Sequence, residues 1–203
     1  MNLVFASANK NKIKEIKAML PSNFVLLGLE DVGITEEIPE SGTTIKENSF
    51  LKAKYVIDYL KKNNPDKAAS VFSDDSGLEV EALHGAPGVY SARYAGTPKN
   101  DEANNKKLLS ELKSATNRKA KFVTVITLII DNKVHYFEGE IKGTIAFVPR
   151  GYNGFGYDPL FIPQCYRSTF AELGAEVKNS ISHRGIAVKK LIEFLKNKNN
   201  LKE

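Results

Sequence analysis

Cysteine is almost missing from this 203-residue chain. The single one, Cys165, rules out a disulfide within the chain and a cysteine-built zinc cluster, and it fits a reducing compartment. No motif around it marks a nucleophile, so it reads as an incidental thiol. Long apolar runs are missing too. None approaches the ~20 residues of a membrane span, and no charged leader precedes an apolar core at the start. The expectation is a cytoplasmic protein with no membrane partner. Arginine is scarce, appearing only at 93, 118, 150, 167 and 184, so the net charge of +5 is carried by lysine. Such a balance attracts anions in general. The interleaving of aromatic and basic residues that marks a nucleic-acid-binding sheet is absent, and no stable nucleic-acid binding is expected. Internal repeats, low-complexity tracts and linker-like shifts in composition are absent as well. Residues 1–203 therefore read as a single domain, long enough for one substantial core or for two lobes sharing a sheet.

What is present reads as α/β. Leu3-Val4-Phe5-Ala6 is a buried strand, and Ile13, Ile16 and Leu20 give the following helix an apolar stripe that stops at Pro21. Phe24 to Leu29 predicts a second strand. Thr44 and Glu47 form a capping-box signature for a helix to about Leu60, with Ile45, Ala53, Val56, Ile57 and Leu60 on its core face. Asn48 and Lys52, four apart, project together from another face. The run Ala68 to Phe72 predicts a strand, Asp101 to about Ser114 a helix, and Phe122 to Ile130 a strand apolar on both sides. Asp131-Asn132 turns that strand into Val134-His135-Tyr136-Phe137 as a hairpin, with His135 structural. Glu138 to Val148 supplies another strand. Val188, Leu191, Ile192 and Leu195 stripe a final helix that frays after Asn197.

Three stretches carry chemistry. Ser7-Ala8-Asn9-Lys10-Asn11-Lys12 places hydroxyl, amide and ammonium groups at a helix N-terminus, where free N–H groups and the helix dipole favour anions. It lacks the Walker spacing, and a capped helix with solvated lysines accounts for it equally. Ser73-Asp74-Asp75-Ser76-Gly77 offers paired carboxylates, the oxygen ligands that suit Mg²⁺ shared with substrate phosphates. Taken alone, it reads first as a turn that ends the preceding strand. Gly151 to Pro159 surrounds Phe155 with glycines, which allows a tight backbone and an aromatic plate for stacking. Lys178, His183 and Arg184 form a polar cluster just ahead of the last helix.

In order and spacing these stretches resemble one family. Ser7-x-Asn9-x-x-Lys12, Glu40-Ser41-Gly42 with Glu47-Asn48 and Lys52-Ala53, and Ser73 to Gly77 come first. Gly85 to Tyr94, Gly154-Phe155-Gly156-Tyr157-Asp158-Pro159 and Ser180 to Gly185 complete the set. Together they look like the inosine/xanthosine triphosphate pyrophosphatases, the house-cleaning enzymes for non-standard purine nucleotides. The chain departs from the family where Ala8 replaces a glycine and Ser49 stands where alanine is common.

The resemblance implies a two-lobed α/β fold, with a long bent mixed β-sheet, flanking helices and a central nucleotide cleft. It also implies a homodimer and Mg²⁺-dependent cleavage of ITP, dITP and XTP to monophosphate and pyrophosphate. Asp75 then matches the catalytic carboxylate and a metal ligand, and Glu40 a second metal ligand. Ser7, Ala8, Asn9, Lys10, Asn11, Lys12, Lys52 and Ser76 fall on the phosphate side. Phe155 would stack on the purine while Asp158, His183 and Arg184 read its edge, and Gly156, Tyr157 and Lys178 match further substrate-binding residues. Asp74 would share the ion or orient the water. A guanidinium only donates, so Arg184 suits a 6-oxo purine and disfavours the 6-amino group of adenine. Stepwise release of orthophosphate is the competing enzymatic reading, and a nucleotide- or RNA-binding module without turnover the competing non-enzymatic one.

Overall fold

The computed structural model describes residues 1–63, 65 and 70–200. Its strands and helices, in chain order, are β1 (Asn2–Phe5), α1 (Lys10–Met19), β2 (Val25–Leu27), α2 (Ile45–Asn63), β3 (Ser70–Val80), β4 (Pro87–Gly88), α3 (Asp101–Glu111), β5 (Lys119–Ile130), β6 (Lys133–Ile145), β7 (Phe161–Pro163), α4 (Ala175–Ile181) and α5 (His183–Asn200). The strand order is β2-β1-β3-β5-β6-β7, with β4 pairing β3. Pairing is parallel for β1 with β2 and with β3, and antiparallel for β3 with β4 and β6 with β7, so the sheet is mixed. The chain divides into two compact units, one of residues 1–75, 125–138 and 187–203, the other of residues 76–124 and 139–186.

In the first unit, strand alternation sorts the apolar residues onto two faces. Leu3, Phe5, Phe72, Ile126, Leu128 and Ile130 pack with Ile16 of α1 and with Val188, Leu191 and Leu195 of α5. Val4, Ala6, Val71 and Ile129 pack on the other side with Ala53, Val56, Ile57 and Leu60 of α2. The helices thus cover both faces, as a sheet buried on both sides requires. Asp131 and Asn132 both take positive φ, 49° and 59°, which gives a two-residue hairpin the twist its strands need.

The second unit has one core. Leu78 and Val80 of β3, Ala120 and Phe122 of β5 and Ile145 of β6 pack with Leu108 and Leu112 at α3 and with Tyr157, Leu160, Phe161 and Phe170. Arg118 is buried here. Its guanidinium donates to the carbonyls of Leu112, Ile145 and Ala146, closing the end of α3 onto the β6 edge.

Some expectations need correction. Ser73 to Gly77 is no turn: β3 runs unbroken through it from Ser70 to Val80. Its polar residues tolerate an extended, buried backbone because each finds a partner, as described below. The predicted start of that strand at Ala68 and Ala69 lies outside the described residues. Residues 133–145 form one strand rather than two, and that strand stops at Ile145, short of the expected end at Val148. The final helix continues past Asn197 to Asn200. Lys178 sits on a short helix of its own, α4, while His183 and Arg184 are the first residues of α5.

Candidate functional site

The first unit assembles the groups that the sequence associates with phosphate. Asn9 caps α1, its Oδ1 accepting from the backbone N–H of Asn11 at 3.0 Å and of Lys12 at 3.1 Å. Ser7 Oγ accepts from Asn9 N–H at 3.2 Å. Both side chains therefore order the loop through their acceptor atoms, and the Ser7 hydroxyl hydrogen and Asn9 amide hydrogens remain donors by their chemistry. Ala8, Lys10 and Asn11 are exposed on the same stretch. No acidic residue occupies the first turn of α1 to offset the positive end of the helix.

Lys12 Nζ reaches Asp74 at 3.0 Å, and Asp74 is fully buried. Lys52, projecting from α2, bridges two carboxylates, Asp75 at 2.8 Å and Glu40 at 3.0 Å. Burial pushes the Asp75 carboxyl above its ordinary range, against the opposing pull of Lys52 and Lys12. Burial works to lower the Lys52 ammonium, but Asp75, Glu40 and Asp74 together outweigh it and hold the ammonium above its ordinary value.

Two local devices position this arrangement. The capping box of α2 forms as expected, with Glu47 N–H donating to Thr44 Oγ1 and Thr44 N–H donating to Glu47 Oε2, each at 3.1 Å. Asn48, fully buried, accepts from Gly42 N–H at 2.8 Å and so ties down the loop that carries Glu40. Beside Asp75, Ser49 Oγ lies 3.1 Å from Ser73 Oγ and 2.8 Å from Thr127 Oγ1, and Ser73 Oγ donates to the Ser49 carbonyl. Ser49 thus links α2 to β3 and β5.

The second unit assembles the groups associated with the base. Gly154 has φ 77°, and a Cβ there would sit 2.0 Å from Asp158 Oδ2. That space lets Asp158 accept from Phe155 N–H at 2.8 Å and from Lys178 Nζ at 2.6 Å. The Lys178 ammonium lies 5.0 Å from the Phe155 ring centre and the Arg184 guanidinium 5.6 Å from it. His183 stacks on Phe122, with ring centres 4.5 Å apart and planes 8° apart. Arg184, 2% exposed, donates to Ser76 Oγ at 3.0 Å, and Ser76 Oγ lies 2.7 Å from Thr124 Oγ1. Ser76, expected among the phosphate-side groups, is therefore engaged with Arg184. Tyr157 turns its side chain into the core and donates to the Ser91 carbonyl at 2.8 Å. Burial raises its hydroxyl well above the ordinary tyrosine range.

Residues that the sequence reading passed over also bear on this loop. Gly156 N–H donates to Asp101, and Asn105 donates to the Gly156 carbonyl. Asn104 spans residues 91–95, donating to the Ala92 carbonyl at 3.1 Å and accepting from Ala95 N–H at 2.7 Å. The available signal was composition: Asn104-Asn105 inside a helix is a pair of poor helix formers, kept only where the side chains have work elsewhere.

The donor set suits a hard cation. Asp75 and Glu40 present carboxylate oxygens drawn together by one ammonium, and among the described residues no group of three or more His, Cys, Asp or Glu is placed to hold a metal. Mg²⁺ is a hard cation that is usually held by one or two carboxylates and completed by water and substrate phosphates. Among the described residues, no helix is long and apolar enough to cross a membrane.

A mixed α/β sheet carrying buried carboxylate–lysine pairs in one unit and a cationic aromatic loop in the other defines a class of nucleotide-handling α/β proteins. The chain belongs to the Ham1 family, whose model matches residues 3–194. It is 53% identical over 197 residues to a dITP/XTP pyrophosphatase of Flavobacterium psychrophilum, covering 97% of this chain and 100% of that protein. A dITP/XTP pyrophosphatase of Porphyromonas gingivalis is 50% identical over 194 residues, covering 95% and 96%. The Ham1 protein of Staphylococcus aureus superposes with a TM-score of 0.85 at 40% identity, covering 98% of this chain and all of that one.

Proposed function

We propose that this chain is a nucleoside triphosphate pyrophosphatase that hydrolyses non-standard purine nucleotides, ITP, dITP and XTP, to the monophosphate and pyrophosphate. The observation that carries this reading is Lys52 bridging Asp75 and Glu40. Cleavage between the α- and β-phosphates needs positive charge on the triphosphate and a carboxylate to hold the attacking water. Lys12, Lys52 and the donors of the Ser7–Lys12 loop grip phosphate oxygens, the lysines as point charges. Asp75, its basicity raised by burial, accepts a hydrogen bond from the water. Asp75 and Glu40 would hold Mg²⁺, which when bound neutralises charge on the triphosphate.

In the second unit, Phe155 stacks on the purine while His183 and Arg184 address its edge. Asp158 sets the Phe155 loop and the position of Lys178 through the bonds it accepts. An all-donor guanidinium pairs with a 6-oxo group and leaves a 6-amino group facing another donor, which is a large penalty in a buried site. The same reading takes the active form as a homodimer, an expectation carried from the family resemblance, working in the cytoplasm, an expectation carried from the cysteine-poor composition.

Identification of the products of ITP hydrolysis with Mg²⁺ tests the reaction. IMP and pyrophosphate in equal amounts support it. IDP and orthophosphate would assign the chain to the stepwise phosphohydrolases instead, and nucleotide binding with no product would make it a binding module.

A further inference from the structure

Helix α3 holds the glycine-rich loop by both backbone groups of one residue. Gly156 N–H donates to Asp101 Oδ2 at 2.7 Å, and the Gly156 carbonyl accepts from Asn105 Nδ2 at 3.0 Å. Asp101 and Asn105 are four residues apart, so one face of α3 makes both bonds. Packing does not fix this point of the loop: Gly156 has φ 62°, and no heavy atom lies within 4 Å of where a Cβ would stand. On one side of Gly156 is Phe155, whose own N–H is held by Asp158; on the other is Tyr157, anchored in the core. The Phe155 ring is thus carried between two tethers, one from Asp158 and one from α3.

We propose that Asp101 and Asn105 are positioning residues for base recognition. By fixing both backbone groups of Gly156 they set the Phe155 ring against Lys178 and Arg184, and through it the discrimination between 6-oxo and 6-amino purines. The proposal rests on the reading of Phe155 and Arg184 as base-binding residues. Neither positioning residue touches the reacting phosphates in this scheme, so their loss weakens binding of the correct base without slowing the bound substrate.

The test is steady-state kinetics with ITP and ATP on Asn105→Ala, Asp101→Ala, Asp101→Asn and Phe155→Ala, with Tm measured for each. Asn105→Ala and Asp101→Ala are each expected to raise KM for ITP roughly three- to tenfold, the effect of one lost hydrogen bond. They should leave kcat within about twofold and lower the ITP-over-ATP ratio of kcat/KM. Asp101→Asn keeps an acceptor oxygen in place and should return the ratio to the unmodified value, which a role through helix charge would not. Phe155→Ala should lower the ratio at least as far, and adding Asn105→Ala to it should cost less than the two separate losses combined. If both alanine variants on α3 keep the ratio while Phe155→Ala lowers it, the positioning role is overturned and the base reading stands. If Phe155→Ala also keeps the ratio, both fall. Should Asn105→Ala not fold, Asp101→Ala at an exposed residue decides the question, since it releases the other backbone group of the same glycine.

Discussion

Asp74 and Asp75 are consecutive residues of β3 whose carboxylates take separate partners on opposite faces of the strand. Asp74 pairs with Lys12 of α1 at 3.0 Å, on the face that carries Phe72, and Asp75 pairs with Lys52 of α2 at 2.8 Å, on the face that carries Val71 and Ser73. Strand alternation separates what the sequence presents as a pair. Each acid pairs with a lysine of a different helix, and Lys52 bridges from Asp75 to Glu40.

Replacing each acid in turn should therefore give different defects. Asp75→Asn is expected to lower kcat for ITP by about 10²–10⁴-fold while nucleotide binding stays detectable. Asp74→Asn should keep kcat within about tenfold and lower Tm, because it leaves Lys12 facing a buried amide instead of a carboxylate. Kinetics and thermal melts on the two variants separate the roles. Equal kinetic defects would mean that the acids act as one unit.

Lys52 should matter to the fold as much as to the reaction. Lys52→Met leaves Asp75 buried without its close cation, a loss of about 3–5 kcal/mol for a broken buried pair. Asp75→Asn placed on top of Lys52→Met should recover most of that stability without recovering activity. Denaturant unfolding of the single and double variants measures it, and additive losses would show that the pair is not coupled.

Gly154→Ala places a methyl group against Asp158 at a left-handed backbone position. The expected cost is about 1–2 kcal/mol of backbone strain, together with a fall in the ITP-over-ATP ratio as Asp158 loses its grip on Phe155 N–H. Retention of the ratio in a stably folded variant would show that the Asp158 tether does not set base selection.

His135 gives a pH signature of its own. Burial, and then Lys198 and Lys133, hold its imidazole below the ordinary value of 6.5. The unfolded chain then takes up the proton more readily, so the stability linked to His135 is full above about pH 6.5 and is lost as pH falls through the depressed folded value. In His135→Gln, Tm should fall less between about pH 7.5 and pH 5 than in the unsubstituted protein. An identical fall would show that His135 titrates alike in both states.

Much of this was legible in the residues. The Thr44–Glu47 capping box, the Asp131-Asn132 hairpin and the apolar stripes of α1, α2 and α5 are local patterns, and local patterns survive folding. The continuity of β3 through Asp74-Asp75 was not legible. Asp, Ser and Gly are turn residues, and the ion pairs that let them lie extended come from residues 62 and 23 positions away. The bounds of the two units were not legible, because each unit draws on separated stretches of chain and no linker marks a boundary. The α3 grip on Gly156 joins residues 55 and 51 positions apart, beyond any periodicity. Family motifs named the candidate residues; the structure sorted them, placing Ser76 with Arg184 and turning the Tyr157 side chain into the core.

The most direct test of the proposed activity is the ratio of kcat/KM for ITP over ATP, measured by pyrophosphate release with Mg²⁺ present. The expected result is a preference for ITP of at least about 10²-fold, with pyrophosphate as the released product. Equal turnover of ATP and ITP, or release of orthophosphate in place of pyrophosphate, would contradict it.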